Sequence, residues 1–95
     1  MKIPASVELA GLTVKTVIDN TLSTQRSIIG ECIYSQQVIL LDDKCVPKEQ
    51  TEQAYIHELI HYILYVMNEE ELKNNEKFVD MFAHLLYQSL IKSQR

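Results

Sequence analysis

The chain has 95 residues, of which 46% are hydrophobic and 23% charged, and its net charge is -4. That length supports one hydrophobic core and hence one domain over residues 1–95, and the composition is too apolar for a disordered chain. An acidic balance with no Lys/Arg cluster leaves no electrostatic footprint for a phosphate backbone, so nucleic acid is not an expected partner.

Met1 to Ala10 alternates polar and apolar residues without building the apolar core of a signal peptide. No segment of the sequence approaches membrane-spanning length, so a cytoplasmic location without a membrane partner is expected. Val7 to Ala10 and Leu12 to Ile18 are rich in β-branched residues and meet at Gly11, which predicts a hairpin. Ser27 to Tyr34 is a third strand candidate and Val38 to Leu41 a fourth, with Ser35, Gln36 and Gln37 as a tight connection. Gly30, inside a strand run, predicts a bulge or a close backbone approach. These segments predict a small antiparallel sheet of three to four strands over residues 1–46. Cys32 and Cys45 form no CxxC and are expected as two reduced thiols in or near the core.

Pro47 can open a helix, Glu49 and Glu52 favour its positive end, and no breaker follows before Asn68. A long helix is therefore expected over Lys48 to Met67, with an apolar arc of Ile56, Leu59, Ile60, Ile63 and Met67. A second helical pattern begins near Glu70 or Asn75 and runs to Lys92, with a core arc of Phe78, Val79, Phe82, Leu85, Leu86 and Leu90. The expected fold class is α+β, an antiparallel sheet followed by two packed helices, and the helical part, residues 47–95, carries the site.

That site begins with His57-Glu58-Leu59-Ile60-His61. Imidazoles four residues apart on a helix project from one face about one turn apart and can bind the same ion. Glu58 lies about 100° around the helix from His57, poorly placed as a ligand but near enough to act as general base for a zinc-bound water. A catalytic zinc needs a third protein ligand and leaves its fourth position open. The second helix offers Glu76, Asp80 and His84 at i, i+4 and i+8, with Ala83 and Tyr87 on the same stripe. If the helices pack antiparallel, that stripe faces the imidazole pair. Glu76 is favoured as ligand and Asp80 as the acceptor fixing an imidazole through its other nitrogen, with the reverse assignment open. His84, Tyr87 and Tyr34 are candidate donors to a tetrahedral intermediate.

The HExxH helix followed by Asn75-Glu76-Lys77-Phe78-Val79-Asp80 resembles the gluzincin pattern of thermolysin-like peptidases, in which a Glu is the third ligand and an Asp four residues later supports a His. The opening Lys2-Ile3-Pro4, the segment from Gly30 to Leu41, and Leu85-Leu86-Tyr87-Gln88 look like small phage and prophage proteins with an HExxH helix. These are similar to minimal zincin-like metallopeptidases of the ImmA/IrrE type. The resemblance implies that Val38, Ile39 and Leu40 pair with an extended peptide substrate by strand addition. The expected function is a zinc-dependent peptidase holding one Zn2+ and acting on a cytoplasmic protein, such as a phage or host regulator. The alternative is a non-catalytic phage or prophage interaction protein in which any metal is structural.

Overall fold

A computed structural model describes residues 1–93 of the chain. Its first two strands, β1 (Ser6–Leu9) and β2 (Leu12–Ile18), join through a two-residue turn in which Ala10 (φ 50°) and Gly11 (φ 85°) are both left-handed. This backbone matches the twist of a hairpin, and glycine adopts it without steric cost.

After β2 the chain does not turn straight back. A short helix, α1 (Leu22–Arg26), anchored by the buried Leu22, carries it past the neighbouring strand position. Strand β3 (Gly30–Ile33) therefore forms one place further out. After a single 3-10 turn at Tyr34–Gln36, β4 (Val38–Leu41) folds back into the gap. The strand order is β1-β2-β4-β3, with β4 antiparallel to β3 but parallel to β2. The expected all-antiparallel sheet is thus corrected to a mixed one. Gly30 pairs with Leu41 in an unbroken register, so it marks a close approach and not a bulge.

The helical half also differs from the two-helix expectation. It holds α2 (Lys48–Val66), a four-residue helix α3 (Glu70–Lys73) and α4 (Glu76–Ser93), which with α1 makes four helices among the described residues. Both short helices are below the length at which apolar periodicity is visible. Asn68 stops α2 as its sequence suggests: it takes a left-handed backbone (φ 60°), its N–H donates to the Tyr65 carbonyl, and the Glu69 N–H donates to the Leu64 carbonyl. This double bond pattern closes a helix end. Asn75 starts α4, its side-chain oxygen accepting the Phe78 N–H at 3.0 Å.

Helix α2 lies between the sheet and α4, packing on Val14, Ile39 and Leu41 on one side and on Val79, Ala83 and Tyr87 on the other. Both predicted apolar arcs therefore need correction. In α2 the buried set is Tyr55, Ile56, Ile60, Tyr62 and Leu64, while Ile63 and Met67 are exposed. In α4 the buried line is Val79–Ala83–Tyr87, whereas Phe82 (46% exposed) and Leu85 (55%) face outward. Ala83 and Tyr87 thus belong to the core and not to the polar stripe. The small Ala83 side chain lets α4 lie close against α2, which brings the acidic residues at its start within reach of the histidines.

A buried carboxylate ties the sheet to both α1 and α2. Asp42 accepts the N–H and hydroxyl of Ser23 on one oxygen and the N–H groups of Lys44 and Cys45 on the other, while its carbonyl accepts the Thr51 hydroxyl. These bonds, the Ser23 hydroxyl foremost, hold its carboxyl well below the usual carboxylate range.

Candidate metal centre

The α2–α4 contacts run in antiparallel register: Glu52 meets Tyr87, His57 meets Asp80 and His61 meets Glu76. Capping by Asn75 places Glu76 at the first position of α4 and Asp80 one turn later, so both carboxylates point at the imidazole pair.

The two Nε2 atoms of His57 and His61 are 3.2 Å apart. Glu76 reaches both, with one oxygen 2.9 Å from His61 Nε2 and the other 3.4 Å from His57 Nε2. Ligand atoms on a tetrahedral zinc with bonds of about 2.0–2.1 Å sit about 3.3 Å from one another. The spacing of this His57/His61/Glu76 cluster, whose donor atoms lie within 4.8 Å of one another, is therefore that of a chelating set. Its chemistry agrees: two imidazoles and one carboxylate suit a borderline divalent ion, and two facing nitrogen lone pairs repel unless a cation or proton lies between them. Asp80 Oδ1 is 2.9 Å from His57 Nδ1. A carboxylate there holds the proton on Nδ1 and leaves the Nε2 lone pair directed at the cluster.

Glu58 is set apart from these donors. Its Oε2 is 3.9 Å from His57 Nε2 and its side chain only 13% exposed. Burial pushes its carboxyl above the ordinary range, against the pull of His57 and His61. Its environment comes from β3: the Cys32 thiol donates to the Glu58 carbonyl oxygen at 3.1 Å, and Gly30 lies against the Glu58 side chain.

These residues line an open cleft of about 940 Å³, with Ile28 to Cys32 on one wall and Gln50, Gln53, His57 and His61 on the other. Tyr34 lines it too, with its ring stacked on Tyr65 at 4.3 Å and the Lys73 ammonium over it at 5.0 Å. The other candidate donors are elsewhere. Tyr87 is buried with its hydroxyl donating to Glu52 at 2.7 Å, and the exposed His84 contacts Gln53 through Nδ1 at 3.2 Å. Neither lines the cleft.

Val38, Ile39 and Leu40 cannot add a substrate strand, because β4 is paired on both edges, to β2 and β3. The open edge beside the cleft belongs to β3. Sequence reasoning missed Gly30 and Cys32 as neighbours of Glu58, since nothing local connects residues so far apart in the chain. It also missed Gln53, although its place one turn ahead of His57 on the same helix face carried that signal. Among the described residues no helix is long and apolar enough to cross a membrane. Comparison with protein-family models, with curated proteins and with solved structures gives no match for this chain, so its chemistry is read from the side chains themselves.

Proposed function

We propose that this chain is a zinc-dependent hydrolase of the metallopeptidase type, with a protein or peptide of the cytoplasm as substrate. The observation that carries the reading is the convergence of His57, His61 and Glu76 into a chelating triad with the carboxylate of Glu58 beside it. His57, His61 and Glu76 are the ligands, and Asp80 orients His57. A divalent ion held there supplies Lewis acidity that lowers the pKa of a water and polarises a carbonyl.

Glu58 is the general base. It takes the proton of the attacking water on its carboxylate and returns it to the departing amine nitrogen. An extended peptide fits the outer edge of β3, where among the described residues the strand's outward N–H and C=O groups have no strand partner and the cleft runs alongside. This assigns to Gly30–Ile33 the pairing role that β4 cannot fill. The resemblance to minimal ImmA/IrrE-type metallopeptidases, and with it a phage or host regulator as substrate, agrees with this arrangement.

The test is Glu58→Gln in zinc-loaded protein. Peptide hydrolysis should fall by three orders of magnitude or more, to roughly the level that ion and binding alone support, with zinc affinity unchanged. Normal turnover by that variant would remove Glu58 from the mechanism. A second reading is favoured by the span of the triad across two helices: the ion is a staple in a non-catalytic interaction protein. In that case zinc raises the melting temperature while the wild-type chain cleaves nothing.

A further inference from the structure

A base on a helix surface turns about several side-chain bonds, and proton transfer needs its carboxylate held in one place. Two residues of β3, spaced i and i+2 and so on the same face of the strand, meet Glu58. The backbone of Gly30 is not left-handed, so what favours glycine there is space and not φ. A Cβ at this position would lie 3.0 Å from Glu58 Cγ, 3.2 Å from Leu41 Cδ2 and 3.4 Å from the Leu40 carbonyl oxygen. The Glu58 side chain, with the tightest of these contacts, would have to give by a few tenths of an ångström, and the Leu41 methyl with it. Cys32, two residues on, donates its thiol to the Glu58 carbonyl oxygen at 3.1 Å, which ties β3 to the stretch of backbone from which the base projects. Burial, followed by the Glu58 charge, raises the proton affinity of the thiol, so it remains an S–H donor.

We propose that Gly30 and Cys32 are positioning residues for Glu58: Gly30 leaves the slot that its side chain occupies, and the Cys32 thiol holds the backbone from which that side chain projects. The proposal rests on the reading of Glu58 as the base. It gives β3 a second task beside offering its edge, which is to aim the proton acceptor.

The experiment uses the full zinc-loaded chain and a single peptide found cleavable in a fluorogenic library. Cys32→Ala should lower kcat about tenfold or more, leaving KM and zinc affinity within about twofold, and Cys32→Ser, which keeps a donor, should recover most of the loss. Gly30→Ala should likewise act on kcat. In a Glu58→Gln background Cys32→Ala should have no further effect. One readout is independent of turnover: the melting-temperature losses of Gly30→Ala and Glu58→Ala should depart from additivity in the double variant by about 3 °C or more, because Glu58→Ala removes the Cγ that the added methyl meets. Additive melting losses overturn the proposal, as does a loss seen in KM or zinc affinity with Ser no better than Ala. If the wild-type chain cleaves nothing, the reading of Glu58 as base fails, and the double-variant melting result alone decides whether Gly30 leaves the slot for that side chain.

Discussion

Removing the Asp80 carboxylate tests whether the imidazole pair is built to hold an ion. In Asp80→Ala, His57 loses the acceptor 2.9 Å from Nδ1 and with it the preference for the tautomer whose Nε2 faces the cluster, yet no member of the triad is removed. Such supporting partners are typically worth about 10- to 100-fold in metal affinity. Because the Asp80 side chain is 69% exposed, solvent weakens its electrostatic share and the expected loss lies at the lower end, about tenfold. The same loss must appear in stability. With free zinc set at about 100 times the wild-type Kd, binding stabilises the fold by about 2.7 kcal/mol, and a tenfold weaker site at that concentration contributes about 1.4 kcal/mol. For a domain of this size about 1 kcal/mol moves the melting temperature by roughly 4–8 °C, so the zinc-induced rise should be halved in the variant. Competition with a chromophoric zinc indicator measures the affinity, and thermal unfolding with and without buffered zinc measures the shift. Glu76→Ala, which removes a ligand, should cost more than Asp80→Ala in both assays. Affinity within twofold of wild type for both variants would refute the chelating role of the cluster.

Three further predictions follow from the fold. Tyr87→Phe deletes a 2.7 Å bond to the buried Glu52 carboxylate and should cost about 1.5–3 kcal/mol, measured as a fall in the urea midpoint with unchanged slope. For Asp42, a folded-state pKa below the unfolded value means that its carboxylate stabilises the fold above about pH 4 and that this contribution is lost as the pH falls below that toward the depressed value. Asp42→Asn should therefore be less stable at neutral pH but show a flatter decline in acid, and an unchanged acid limb in pH-dependent unfolding would contradict this. Ala10→Asn places a residue tolerant of left-handed backbone before Gly11 and should stabilise the hairpin by about 0.5–1 kcal/mol, read as a higher melting temperature.

The parts of this molecule that were legible in its sequence are those governed by local rules. The four-residue interval between His57 and His61 fixes two imidazoles on one helix face, and the same interval places Glu76 and Asp80 together on the next. Asn68 marks the end of the first long helix, where asparagine tolerates the left-handed backbone that closes it. The sequence leaves the start of the second between Glu70 and Asn75, and the Asn75 side chain capping the Phe78 N–H settles it. What escaped depends on distance in the chain. The parallel pairing of β2 with β4 is decided by α1, whose five residues are too few to show a period. Apolar residues at Phe82 and Leu85 looked like core, but burial in α4 follows the face carrying Val79, Ala83 and Tyr87, where a small residue and a tyrosine that bonds Glu52 fit against α2. The neighbours of Glu58 were hidden for the same reason, since only the folded sheet brings Gly30 and Cys32 to it.

The three residues of the cluster and the aspartate behind them all come from one helical hairpin, within residues 57–80, whereas the surroundings of Glu58 come from a strand formed well upstream. On the proposed reading, capture of an ion and alignment of the proton acceptor depend on separate parts of the architecture. Damage to the sheet would then silence chemistry in a chain that still takes up its metal, and metal content alone would be no measure of competence.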